Sequence, residues 1–391
     1  MALTRDRRRI SVSGMGNITA RQVSPSAGTA FESLGYLKSS LIKDEHSVDE
    51  IRDSSGDMVN VLSKQQRAEL STALLQSTAD ELNFLKNATG KVYALRHYGK
   101  IDASNRFQYF CFDQAIVKPH IQAEFKVGER LVPMEAVALA QDQLGYNQPL
   151  YYLAETNHVI LIDGLQLWVE PRLGLNTESA KLLDISGFAL HGTLNSDFAA
   201  IWQQGSTPAE FLRFDGVNDN CDWGDQSIAE LDLTSDMMFE AWVRPQGADG
   251  TAIYIASKKA GTGTEVGWWL RRNTGNTYSM RFSDSVGNTV TLTFGTSILQ
   301  NVWHHIAIVG DRDTAVRGYV DGVSAGVDAL FPALGAGADS NPMYLGRVAS
   351  TYGQIDIGNF RFYNFGANGL PSDIATTIAN HYNAEKAFYG L

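Results

Sequence analysis

Cysteine is nearly absent: only Cys111 and Cys221 occur in 391 residues, and they lie far apart. A disulfide framework is therefore not expected, and two free thiols acting as small buried hydrophobes are the simple reading. Positive charge is also short. Lys and Arg total 32 against 43 Asp and Glu, a net charge of −11, which removes the electrostatic case for tight nucleic-acid binding. Such a surface suits a protein that must not stick to DNA. No apolar run reaches the roughly 18 residues a membrane span requires. No apolar segment follows the charged start Met1–Arg9, so a secretory signal is not expected. The expectation is a protein made in a cytoplasm that stays soluble or leaves by lysis or assembly.

Catalytic signatures are missing as well. There is no phosphate-binding Gly-x-x-x-x-Gly-Lys-Ser/Thr element; Gly261-Thr262-Gly263-Thr264 reads as a hairpin loop. Neither a Gly-x-Ser-x-Gly elbow, a Cys-x-x-Cys pair nor a His-Glu-x-x-His helix is found. His304 and His305 are adjacent on an expected strand, so they point to opposite faces and read as core or edge histidines. Glu240 stands alone on its strand beside Trp242, where an exposed polar-face residue is the simple explanation. No run of closely spaced carboxylates of the kind used in glycoside cleavage occurs. The chain is not expected to be an enzyme.

What is present is apolar content, 44%, in a chain long enough for two or three domains. The texture changes near residue 160, where Gly, Asn, Asp and Trp become frequent between short alternating segments. The join is placed in Glu155-Thr156-Asn157-His158, giving domains 1–157 and 158–391. No long Pro or Ser linker separates them, and no repeat of 20–50 residues is visible. Both halves read as mainly β, and in the second the strands fall at intervals that suggest a sandwich or barrel.

In the second half, Phe239, Ala241 and Val243 share one face of a strand and Glu240, Trp242 and Arg244 the other. Trp303–Val309 is a second strand. Arg317–Val323 runs into Asp321-Gly322, the favoured type I′ hairpin turn. Met343–Gly346 and Ile357–Tyr363 supply two more. The tail reads as a short helix with Ser372 as N-cap and Ile374, Ile378 and Tyr382 on one stripe.

These segments, with Leu182–Gly187, His191–Leu194, Phe214–Asp219, Leu345-Gly346-Arg347 and Ile355-Asp356, fall in an order that resembles a laminin-G-like domain of the concanavalin A-like jelly-roll superfamily. The resemblance covers about residues 160–391 and implies a two-sheet sandwich that binds glycans or proteins, or decorates a larger protein. It implies a structural calcium at Asp215, Asp219 and Asp356; hard oxygen ligands suit that ion. An acidic residue usually follows the last position, and here Ile357 stands there. The alternative is that these aspartates are turn formers bonding their own backbone. Trp223, Trp268 and Trp269 are candidate glycan-stacking platforms, the alternative being core packing.

In the first half, Arg9–Ser13, Val92–Leu95, Phe107–Phe112 and Ile121–Val127 read as strands, and Thr78 with Glu81 forms a capping box ahead of a helix. Gln66–Gln76 favours helix by propensity, yet Ala68, Leu70, Thr72 and Leu74 also fit a strand. Ser11–Asn17, Gly35–Ser40, Val48–Gly56 and Leu75–Glu81 resemble, in order and spacing, the tail tube proteins of long-tailed bacteriophages. The resemblance covers about residues 1–150, makes 66–76 a strand and implies a small β-sandwich or barrel with one packed helix. It implies a virion tail protein assembled in the bacterial cytoplasm. Its partners would be copies of itself in stacked hexameric rings, other tail proteins, and DNA sliding through the lumen. Arg5, Arg7, Arg8 and Arg9 would bridge rings, the alternative being a solvated terminus. The outward second domain would adhere weakly and multivalently to host-surface glycans. Rival readings are a stand-alone glycan-binding adhesin, a glycoside hydrolase of the same jelly-roll superfamily, which would need a carboxylate pair the sequence does not display, and another tail or baseplate component.

Overall fold

A computed structural model describes residues 7–12, 16–24, 32–52, 58–75, 87–88, 91–100, 107–119, 124–126, 129–138, 152–156, 164–171, 175–176, 181–186, 188, 190–195, 201–204, 210–224, 235–328, 330–331, 334–335, 341–366 and 369–391. The chain is mainly β and divides into two compact units, Met1–His158 and Val159–Leu391.

The first unit contains β1 (Arg7–Val12), β2 (Gly16–Ser24), β3 (Glu32–Arg52), β4 (Met58–Leu75), β5 (Val92–Lys100), β6 (Phe107–Pro119), β7 (Glu124–Lys126), β8 (Glu129–Ala138) and β9 (Tyr152–Thr156). They pair antiparallel in the order β7-β8-β4-β3-β2-β5-β6-β9, and β6 also pairs β8. That last pairing closes six strands on themselves, the arrangement that removes free edges. Ile18, Leu34, Leu70, Leu95, Phe112 and Met134 are buried here.

Residues 66–75 are strand, against helix propensity. Glu69–Leu75 pairs on one side with β3 and on the other with β8, and two ladders of hydrogen bonds outweigh a fraction of a kcal/mol per residue of propensity. Arg7–Arg9 belong to β1, whose register on β3 sets Arg7 opposite Glu45 and Arg8 opposite Asp44. Beyond His46 and Gln66, the distal part of the β3–β4 hairpin pairs only with itself among the described residues. The expected capping-box helix at Thr78 and Glu81, and Arg5, lie outside the described residues.

The second unit continues with β10 (Leu165–Val169), β11 (Leu175–Asn176), β12 (Lys181–Leu182), β13 (Gly192–Asn195), β14 (Trp202–Gln204), β15 (Glu210–Asp215), β16 (Asn220–Asp222), β17 (Asp236–Pro245), β18 (Ile253–Lys259), β19 (Gly267–Arg272), β20 (Tyr278–Ser283), β21 (Thr289–Phe294), β22 (His304–Asp311), β23 (Ala315–Val320), β24 (Val323–Asp328), β25 (Met343–Leu345), β26 (Arg347–Val348), β27 (Thr351–Tyr352) and β28 (Gln354–Gly366). One sheet runs β14-β15-β28-β17-β22-β23-β24 with β10 on β28; the other runs β11-β12-β13-β16-β25-β18-β19-β20-β21. Alternation puts Phe239, Ala241, Val243, Ile306 and Ile308 of the first sheet into one core with Leu270, Met280, Leu292 and Leu345 of the second. Asp321 and Gly322 both adopt positive φ, 52° and 77°, in the two-residue turn between Val320 and Val323.

The helix α1 (Ile374–Glu385) follows, with a 3-10 turn at Lys386–Tyr389. Its N-cap is Asp373 rather than Ser372, and no side chain caps it. Ile378, His381 and Glu385 are buried. Among the described residues no helix is long and apolar enough to cross a membrane.

Candidate ligand-binding face

The aspartates expected to hold calcium do not form a cage. Asp356 is fully buried, and strand pairing sets it between Arg213 of β15 and Arg244 of β17. Arg213 Nε and Nη2 donate to it at 2.8 and 3.0 Å, Arg244 Nε and Nη2 at 2.8 and 2.5 Å, and Gln246 Nε2 at 2.9 Å. Two guanidinium groups thus stand where a cation would stand, and the carboxylate is spent on them. Asp215 accepts the Val217 and Asn218 amides at 2.7 and 3.3 Å, as a turn former does, and Asp219 accepts the Asp215 amide at 3.1 Å. Among the described residues no group of three or more His, Cys, Asp or Glu could hold a metal ion. The residues do not fit calcium.

The tryptophans are equally committed. Trp223 donates Nε1 to the Leu190 carbonyl at 2.6 Å inside the core, and Trp268 packs edge-on against Phe239 at 4.6 Å. Trp269 points the other way but is only 3% exposed, covered by Tyr254, Val348 and the Arg271 guanidinium at 4.5 Å. None of the three offers an open ring face.

Glu240 is not an exposed polar-face residue; its exposure is 0%. Strand pairing sets it beside Arg361 of β28, while α1 lays His381 over it with Nδ1 at 2.9 Å from both carboxylate oxygens. His305 Nε2 lies 3.2 Å away and Arg361 Nη1 3.5 Å away. Burial alone would raise the Glu240 carboxyl, but His381 and then His305 outweigh it and hold it well below the usual carboxylate range. Glu385, one turn beyond His381, accepts from Trp242 Nε1 at 2.6 Å, Asn359 Nδ2 at 3.0 Å and Arg361 Nη2. Tyr389 stacks on Trp242 with centroids 4.1 Å apart. This cluster fastens the C-terminal helix to the sheet. It leaves no open carboxylate for acid–base work on a large substrate. His304 faces Asp321 instead, at 2.9 Å.

A partly exposed polar face lies on the other sheet. Core-facing residues Leu194, Cys221, Leu345, Ala256, Leu270, Met280 and Leu292 stand in one register row. The adjacent row, Tyr344–Ser257–Trp269–Arg281–Thr291, must face outward. Beside it runs Tyr254–Arg271–Ser279–Thr293. Tyr254 and Ser257 are three residues apart and would face opposite ways, but a bulge at Ile255 brings them to one face. The freed Ile255 carbonyl accepts the Gly346 amide at 2.7 Å. Gly346, at φ 78°, then turns the chain into the β26–β27 hairpin, which Ser257 Oγ holds through the Arg347 carbonyl at 2.7 Å. The hairpin sets Arg347 over Tyr344 at 4.5 Å and over Tyr352 at 5.3 Å. Arg271, Arg281, Tyr344, Arg347 and Tyr352 are all partly exposed. Sequence reading missed this surface. The spacing of Trp269 and Arg271 shows a shared strand face, but not which face, nor that the hairpin joins it.

Residues 215–367 match the family model described as the concanavalin A-like lectin/glucanases superfamily. They form a jelly-roll sandwich of the laminin-G, concanavalin A-like kind. No match is found among curated proteins. Among solved structures, the binding domain of Paraclostridial Mosquitocidal Protein 1 is similar at 16% identity and TM-score 0.45, over 57% of this chain and 53% of that one. The botulinum neurotoxin serotype G binding domain is similar at 18% and 0.42, over 56% and 51%. The serotype D ligand-binding domain in complex with N-acetylneuraminic acid is similar at 14% and 0.42, over 57% and 51%. The chain therefore spans about half the length of these structures. The fold assignment rests on the family match and the sheet pairing, not on these distant likenesses. Nothing among these matches is a phage tail protein.

Proposed function

We propose that the chain is a non-catalytic glycan-binding adhesin whose second unit presents the outward face of the β25-β18-β19-β20 sheet to a saccharide. The observation that carries the reading is that face itself, where partly exposed Tyr344 and Tyr352 flank arginines on a rigid sheet. A tyrosine ring offers apolar surface to a sugar's C–H groups and a hydroxyl to its oxygens, at little entropic cost. The burial of Glu240 and the pairing of Asp356 speak for binding rather than hydrolysis, since neither carboxylate is open to a scissile bond. Glycan microarray binding by the whole chain tests this. Saturable binding that Tyr344→Ala and Tyr352→Ala weaken together, with melting temperature retained, is the expected result. Absence of binding to any saccharide overturns it.

A second reading is favoured by the β3–β4 hairpin, whose distal part has only its own partner strand among the described residues and presents backbone groups that another copy would satisfy. On this reading the first unit builds a virion tail tube of stacked hexameric rings, and the sandwich decorates it. Electron microscopy decides it: rings or tubes of repeating width support the tube, and a monomer at every concentration, even when seeded with tail tips, removes it.

A further inference from the structure

Two groups stand out among the described arginines of the second unit. Arg213, Arg244, Arg272, Arg317 and Arg361 each lie within 4.0 Å of a carboxylate. Arg271, Arg281 and Arg347 share the outward face and have no carboxylate in ion-pair range among the described residues. Arg271 donates to Asn273 Oδ1 at 2.9 Å and to the Tyr254 hydroxyl at 3.3 Å. Arg347 donates Nε to the Ala349 carbonyl. Arg281 Nε is buried and has no hydrogen-bond partner among the described residues.

Register brings two of them together. Arg271 stands opposite Ser279, two residues along β20 from Arg281, so the pair are diagonal neighbours on adjacent strands, about 7–8 Å apart. Like charges at that spacing repel, and a protein of net charge −11 had carboxylates to spare for neutralising them. The pair is instead flanked by Trp269, Thr291 and Ser279, which are uncharged. A partly exposed guanidinium stacked on an aromatic ring, as Arg271 is on Trp269 at 4.5 Å, is held ready for contact with an oxyanion.

We propose that the ligand of this face is an acidic saccharide, its carboxylate or sulfate seated between Arg271 and Arg281 and a neighbouring ring lying along Tyr344 and Tyr352 beside Arg347. The inference rests on the glycan-binding reading and narrows it to anionic sugars.

The test uses the whole chain against matched neutral, uronic- or sialic-acid-bearing and sulfated oligosaccharides, with single-stranded DNA as a rival polyanion, at low and at physiological salt. Acidic saccharides are expected to bind and their neutral counterparts to fail, with affinity falling as salt rises. Arg281→Gln is expected to weaken binding roughly 10- to 100-fold, the worth of one hydrogen bond to a charged group, while Arg281→Lys retains part of it. Arg271→Gln gives a second variant should the first lose its fold, which a melting curve reports. Equal binding of neutral and acidic sugars, unmoved by both variants, overturns the inference while leaving the adhesin reading standing. Binding of no sugar removes both. Preference for DNA over every acidic sugar overturns the inference in favour of a phosphodiester ligand. Carboxylated against sulfated sugars then identifies the anion.

Discussion

Asp356 shows how one residue's neighbours decide its chemistry. Its strand position suits a metal ligand, yet its carboxylate joins two guanidinium groups on flanking strands. Asp356→Asn is expected to cost about 3 kcal/mol in urea unfolding, because it strands partly buried arginines. Arg213, 42% exposed, keeps the loss at the low end. Calcium or a chelator should leave the melting temperature unmoved, and a rise of several degrees on adding calcium would contradict the assignment. Glu240 makes a pH prediction. Its folded pKa is depressed, so its contribution is present above the ordinary carboxylate value near 4.3 and is lost as pH falls below that toward the folded value. Acid denaturation curves should therefore fall steeply below about pH 4, and Glu240→Gln should flatten that limb while lowering stability at neutral pH.

At the scale of elements, the β26–β27 hairpin and α1 each cover a sheet face through a few close contacts. A side chain at Gly353 would meet the Tyr254 backbone carbonyl, so the return of this hairpin requires glycine there. Gly353→Ala is expected to cost about 2–3 kcal/mol and to expose Trp269, read as a red shift in tryptophan emission. The helix is held by Tyr389 on Trp242 and by the Glu240 cluster. Tyr389→Ala should cost about 3 kcal/mol and make the C-terminal segment sensitive to protease before the sandwich unfolds. The helix stripe of Ile374, Ile378 and Tyr382 was legible, because spacing of four marks a face. What lies beneath it was not: His381 and Glu385 look like surface residues until Glu240 and Arg361 are brought against them. The strand at 66–75 was legible only as one of two choices, since partners on β3 and β8 settle it.

Each unit buries apolar residues of its own, Leu70 and Phe112 in the first and Phe239 and Leu345 in the second. Heating should therefore give two transitions, and Asp356→Asn should lower only one of them in calorimetry. A single transition shifted as a whole would show that the units unfold together. Any assembly belongs to this scale too; on the second reading a second copy would add along the distal β3–β4 hairpin, which pairs only with itself among the described residues.

Sequence by itself determined a mainly β chain, the change of texture near residue 160, the Asp321-Gly322 turn, and the two faces of β17, because alternation and turn chemistry are local properties of neighbouring residues. Tertiary structure decided what each face meets. Glu240 is buried by His381, 141 positions away, and Asp356 is neutralised by Arg213, 143 positions away. The bulge at Ile255 turns Tyr254 toward Trp269, and the hairpin it launches adds Arg347 to Arg271 and Arg281. Periodicity fixes which side chains share a face; only the packing of distant segments fixes whether that face is covered, paired or left open to a ligand.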